Sequence, residues 1–380
     1  MALAPLAFAL SDRVLRYDPR HPDWFDRDRF ILSNGHACML QYAVLHLTGY
    51  EVSLEDLKDF RQWGSLTPGH PEVERTPGVE ATTGPLGQGV MNSVGMAIAE
   101  KHLAAVFNRP GHRIVDHHTW AFCSDGDMME GASHEAASLA GHLALGKLVW
   151  VYDDNHITIE GDTRLAFSDD VARRFEAYGW HVRDLGEKAN DVDALTAALV
   201  EARDETSRPS LIIVRSHIAW GAPEKQDTAE AHGSPLGEDE VRATKRFYGW
   251  PEDARFLVPD RVREHMGRAV ERGRRLREEW RERMEAYRDA HPELAARFDA
   301  ALRGELPEGW DEDIPVFEPD DGLMATREAS GEVLRGFAGR VPWLMGGSAD
   351  LAGSNKTLLE DSGDFEAESP GERNMHWGVR

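Results

Sequence analysis

Short apolar runs alternate with longer stretches of helical periodicity along most of this chain. The apolar runs Phe30–Leu32, Trp120–Cys123, Lys147–Tyr152, Gly179–Asp184 and Ser210–Ser216 predict strands, the last of them (SLIIVRS) fully buried. Between them, helical spacing is predicted over 1–17, Cys38–Leu47, Leu54–Trp63, Val90–Phe107, Ala132–Leu145, part of 163–178, and Asp191–Thr206. Strands that alternate with helices predict an α/β fold, a parallel sheet with helices on both faces.

The pattern changes after about residue 258. Arg261–Arg303 is dense in Arg and Glu at helical spacing and reads as a solvated helical linker. From Val316 a second α/β pattern opens, with a helix over Thr326–Phe337 and a strand over Val341–Met345 that runs into Gly346–Asn355. Three segments are expected: 1–258 as the main domain, 259–315 as the linker, and 316–380 as the start of a second α/β domain with too little chain to close a sheet.

Composition narrows the function classes. A length of 380 residues allows two or more domains. A formal charge of −24 and a pI near 5.1 argue against a nucleic-acid surface. No apolar run is long enough to span a bilayer, so no membrane partner is expected. Cys38 and Cys123 form no CxxC pair and read as buried, reduced thiols, which favours a cytoplasmic setting. The first residues, MALAPLAFAL, lack a basic flank, and they read as a core helix without an N-cap rather than a signal peptide.

The chemistry gathers at strand ends. Trp120–Cys123 runs into Ser124-Asp125-Gly126-Asp127, and the next strand ends in Asp153-Asp154-Asn155. One βαβ crossover places Asp125 beside Asn155 at the carboxyl edge of the sheet, where ligands collect in open α/β sheets. A carboxylate, an amide oxygen and a backbone carbonyl suit Mg²⁺, and Gly126 permits close approach of a phosphate. Either residue alone is more readily a helix or turn cap; the pair favours a metal–phosphate site. Three further loops present histidines or glycines: Ser33-Asn34-Gly35-His36 at the start of a helix, the proline-stiffened Thr67-Pro68-Gly69-His70-Pro71-Glu72, and the long loop carrying His232 in Ala231–Gly237. Gly84-Pro85-Leu86-Gly87-Gln88-Gly89 runs in the reverse of the dinucleotide order, and no clear strand precedes it.

The run D-G-D-M-M-E-G-A-S-H-E-A followed by Y-D-D-N-H-I-T-I-E-G resembles the thiamine-diphosphate motif, and in this version transketolase in particular. Ser124 stands where that family usually has glycine. The segments D-R-F-I-L-S-N-G-H, T-P-G-H-P-E, G-P-L-G-Q-G, H-G-S-P-L-G, G-G-S-A-D-L and H-W-G-V-R are similar to transketolase motifs in the same order. The resemblance implies ketol transfer between sugar phosphates in the pentose phosphate pathway, with thiamine diphosphate and Mg²⁺ (or Ca²⁺ in its place) as cofactors. It implies a metal held by Asp125, Asn155 and the Ile157 carbonyl. Cofactor contacts would come from His36, Gly84, Pro85, Leu86, Gly126, Asn155 and His232, and donor-site proton handling from His70 and His232. His232, Arg327 and Ser354 would hold substrate, and Asp350 matches an acidic position near the partner subunit's cofactor.

It also implies a homodimer for a full-length protein. The family's H-P-G segment and the glutamate after H-x-G-V-R fall outside 1–380, so a piece of a longer transketolase, inactive alone, is expected. A chain of a split enzyme and a non-catalytic cofactor-binding homologue are the alternatives.

Overall fold

The computed structural model describes residues 1–380, the side chain of residue 321 excepted. The chain divides into two compact units: Met1–Ile98 with His117–Trp280, and Ala99–Asp116 with Arg281–Arg380.

The first unit is built on a five-stranded, all-parallel sheet. Its strands are β1 (Arg29–Leu32), β2 (Thr119–Ser124), β3 (Leu148–Asp154), β4 (His181–Asp184) and β5 (Ser210–Arg215), in the order β1-β2-β3-β5-β4. All six residues of β2 are buried, as are six of the seven in β3, whereas edge strand β4 is half open. Central parallel strands are covered on both faces, which is why their sequences run apolar without alternation. Helix Ala4–Arg13 buries Leu6, Ala7, Ala9 and Leu10 in the same core as Tyr42, Leu45, Trp120 and Phe122. Both cysteines are buried free thiols.

Several boundaries differ from the sequence expectation. The first helix is Ala4–Arg13 rather than 1–17. The third is only Leu54–Lys58, opened by a reciprocal Ser53/Asp56 capping box, and does not reach Trp63. The acidic stretch after β2 is not a simple turn: Asp125–Met129 is a short helix, followed by a second one over Gly131–His142.

The Arg- and Glu-rich stretch forms two helices, Asp260–Ala290 and Pro292–Leu302, and the first is not merely solvated. Met266 and Ala269 are buried, and Arg277 pairs with the buried Asp18 at 2.7 Å. Gly273 lies so close to Tyr17 that a Cβ would stand 2.5 Å from its carbonyl oxygen. An apolar stripe of small residues hidden among charges carries the contact.

In the second unit, Tyr287 donates to the Phe107 carbonyl at 2.7 Å, and the Phe107 and Phe298 rings meet edge-on at 5.1 Å. Helix Thr326–Ala338 forms as expected. The strand expected over Val341–Met345 is displaced: β6 is Gly346–Ser348, paired in parallel with β7 (Asn374–His376). Pro342 has no N–H for a ladder. Gly347 takes the place instead, because a Cβ there would stand 1.6 Å from the Met375 carbonyl oxygen. Among the described residues no helix is long and apolar enough to cross a membrane.

Candidate active site

Three neighbouring strands end at one edge of the sheet, and each hands a polar segment to it. β1 leads into Ser33–His36, β2 into Asp125–Asp127, and β3 into Asp154–Ile157.

Asp125 and Asn155 meet there, 30 positions apart in sequence. The Asp125 side chain is buried, and its Oδ2 accepts the backbone N–H groups of Asn155 and His156, both at 3.1 Å. Its Oδ1 accepts the Tyr152 hydroxyl at 2.8 Å. Ser124, not Asp125, is the N-cap residue of the short helix, and its φ of −135° is ordinary extended backbone, so serine fits where the resembled motif carries glycine. The Asn155 Oδ1 accepts the Ile157 N–H at 2.9 Å, closing the turn expected of Asn155 as a turn cap. Between them His156 is held at φ +63°, with its Nε2 3.2 Å from Asp154.

This donor set fits a hard divalent cation: a carboxylate, an amide oxygen with a second lone pair, and the Ile157 carbonyl, which accepts no backbone N–H among the described residues. Burial raises the Asp125 carboxyl to about 6, against the counter-pull of the Tyr152 hydrogen bond. The neighbouring carboxylates of Asp154 and Asp153 push in the same direction, and a local field of that sign favours a cation.

Ser124, Gly126 and Ile157, which flank this pair in sequence, line a cleft of about 900 Å³ with His36, His70, Gly84, Leu86 and His232, while Asp125 itself lines a smaller cavity with Tyr152, Asp154 and His156. The His36 and His232 ring centroids are 4.6 Å apart. Desolvation first, then the neighbouring His232 and His70, depress the His36 pKa to about 4. The ring is therefore a neutral imidazole at pH 7, open on one side to cleft water. Burial also lowers His232, whose buried Nδ1 has no hydrogen-bond partner.

His70 is carried by a tethered loop. Tyr42 donates its hydroxyl to the carbonyls of Pro68 (2.9 Å) and His70 (3.1 Å), and the Cys38 thiol reaches the Gly69 carbonyl at 3.2 Å. Gly84, at φ +149°, lets its backbone pass under the His70 ring: a Cβ there would lie 3.3 Å from the imidazole. Pro85 is exposed beside it, and the Leu86 side chain covers Gly126, where a Cβ would meet Leu86 Cδ1 at 2.9 Å.

Arg327 and Ser354 belong to the second unit. Arg327 is exposed in the first turn of Thr326–Ala338, 4.0 Å from Glu328, and Ser354 is exposed in the short helix Ala352–Asn355. Asp350, exposed in the same unit, has a φ of +66°.

Two residues that hold the site together were not singled out from the sequence. Asp127 is fully buried, and its carboxylate accepts the Ser33 hydroxyl (2.7 Å), the Gly87 N–H (2.8 Å) and the Ser124 N–H (3.0 Å), fastening three loops. Asp153, also buried, accepts from Asn155 Nδ2 at 3.0 Å. The available signal was position alone: Asp153 at the end of the buried strand β3 and Asp127 in the short helix just after the buried strand β2.

A parallel sheet whose strand ends bring together a carboxylate, an amide and a carbonyl next to a histidine-lined cleft is the arrangement of a thiamine-diphosphate-binding domain. Residues 1–307 match the family model described as "Transketolase, thiamine diphosphate binding domain". The chain belongs to the transketolase family. It is 52% identical over 381 residues to a transketolase of Geobacillus stearothermophilus, a match covering 100% of this chain and 57% of that protein. A solved transketolase of Leishmania mexicana superimposes with a TM-score of 0.96 at 45% identity, covering 100% of this chain and 56% of that one. A Pichia stipitis transketolase solved with sedoheptulose 7-phosphate gives 0.94 at 40% identity, with 100% and 60% covered. The chain thus spans a little over half the length of the relatives it matches.

Proposed function

We propose that this chain supplies the metal- and diphosphate-binding part of a transketolase centre, which moves a two-carbon ketol unit from a ketose phosphate to an aldose phosphate. The observation that carries the reading is the junction of Asp125 with the Asn155–Ile157 turn, whose neighbours Ser124, Gly126 and Ile157 line a cleft shared with His36, His70 and His232.

Asp125, Asn155 Oδ1 and the Ile157 carbonyl would hold Mg²⁺, or Ca²⁺ in its place, and through it the diphosphate. Gly126 and the Gly84-Pro85-Leu86 segment leave room for the cofactor and shield it from water. Thiamine diphosphate, when bound, supplies the electron sink that lets a carbon–carbon bond next to a carbonyl break. Neutral imidazoles at His36 and His232 are suited to accept or donate a proton at substrate hydroxyls, and His70 lines the same cleft on its tethered loop. Arg327 and Ser354 would take the substrate's phosphate, and His232 would touch both cofactor and substrate. Sugar phosphates are the substrate class that the Pichia stipitis complex supports. A homodimer, a cytoplasmic setting and a place in the pentose phosphate pathway belong to this reading. So does a three-segment organisation with the diphosphate-binding domain at 1–258.

Calorimetric titration with thiamine diphosphate tests it. Binding should require Mg²⁺ and disappear in Asp125→Ala. Binding of equal strength without metal, or in the folded variant, would refute the assignment.

A further inference from the structure

The amide of asparagine is nearly symmetric in shape, yet only its oxygen can bind a cation. The Asn155 side chain therefore needs something to decide which end faces the donor set. Asp153 stands at the end of β3, 6% exposed, and its Oδ2 accepts from Asn155 Nδ2 at 3.0 Å. Its other oxygen accepts the hydroxyl of Ser216, which follows β5, the next strand in the sheet. A carboxylate only accepts hydrogen bonds, so it draws the Nδ2 end of the amide and repels the Oδ1 end. The Oδ1 end then points to the Ile157 N–H, with a lone pair to spare.

We infer that Asp153, held by Ser216, is a positioning residue that fixes the Asn155 amide with its oxygen toward the cation. The inference rests on the metal reading of Asp125 and Asn155. It extends the site by one layer: strand β5, which contributes no ligand, sets the orientation of a ligand that follows β3. Partners of this outer kind commonly alter metal affinity by about 10- to 100-fold.

Mn²⁺, which accepts the same oxygen donors and is counted directly by electron paramagnetic resonance, is the probe. Binding of Mn²⁺ alone is measured for the chain and for three variants, with apo melting followed in parallel. Asp153→Asn is isosteric but offers both a donor and an acceptor, so the Asn155 amide loses its acceptor-only partner and is held by the Ile157 N–H alone; the affinity should fall about tenfold or more while apo melting changes little. Asp153→Asn/Asn155→Asp exchanges the donor and acceptor between the two residues and again leaves an oxygen facing the cation, so it should recover most of that loss. Ser216→Ala keeps every charge and only frees the Asp153 carboxylate to turn, so a several-fold loss there reports orientation rather than field.

Wild-type affinity in Asp153→Asn, an exchange variant no tighter than the single one, or wild-type affinity in Ser216→Ala would overturn the inference. Should Asp153→Asn fail to fold, Ser216→Ala decides alone. A wild-type chain that takes up no Mn²⁺ overturns the metal reading itself, and this inference with it.

Discussion

The carboxylate of Asp127 accepts the hydroxyl of Ser33 at 2.7 Å across 94 positions of sequence. The same oxygen takes the Gly87 N–H at 2.8 Å, and its partner oxygen takes the Ser124 N–H. Truncation by Asp127→Ala strands two buried backbone donors, each costing about 1–3 kcal/mol. The variant should lose at least about 2 kcal/mol in urea unfolding. A loss below about 0.5 kcal/mol would mean that water replaces the carboxylate.

Two glycines of the site should respond to alanine in opposite ways. At Gly89 a Cβ would stand 2.5 Å from the Ser33 Cα, backbone that cannot yield without moving β1's exit. At Gly126 the obstacle is the far end of Leu86, a flexible side chain. Gly89→Ala should therefore lower the melting temperature steeply. Gly126→Ala should leave it within a few degrees while weakening cofactor binding, as Leu86 is pushed into the cleft. Thermal melts paired with calorimetry separate the two.

Tyr42→Phe removes the hydroxyl that holds the Pro68 and His70 carbonyls. Global stability should drop by about 1 kcal/mol, the usual worth of such a bond. Hydrogen exchange should rise locally over Thr67–Pro71, and a protection pattern identical to wild type would show that Cys38 and the prolines suffice.

The histidines give a pH dependence with a definite sign. His36 is depressed from 6.5 to about 4. As pH falls through 6.5 the unfolded chain takes up a proton that the folded chain refuses until about 4, so stability from this group is complete above 6.5 and drains away between 6.5 and 4. His36→Gln should flatten that part of the stability–pH curve. Ring-proton NMR should find His36 neutral at pH 6; a midpoint above 6 would contradict the environment described.

The sheet was legible because its central strands are buried on both faces and so read as uninterrupted apolar runs. The junction of Asp125 and Asn155 was legible because one crossover in a parallel sheet brings consecutive strand ends together. What escaped was set by tertiary contact. The apolar stripe of Met266, Ala269 and Gly273 is diluted among arginines and glutamates, so local composition reads as solvated. The β6 strand contains glycines, weak strand formers chosen here because Met375 lies against them. Asp127 and Asp153 look like any acidic loop residues until three segments close over them.

β1 pairs with β2 through Arg29↔Thr119 to Leu32↔Phe122, with no nearer strand to accept it. On a ribosome adding about 5–20 residues each second, the Phe30-Ile31-Leu32 edge waits on the order of 5–20 s before its neighbour exists. During that interval an apolar strand with unpaired amides is open to other chains, and to whatever chaperone reaches it first. Ser33, which ties Asp127, and His36 of the cleft lie just beyond that strand, so neither can take its place until the wait is over.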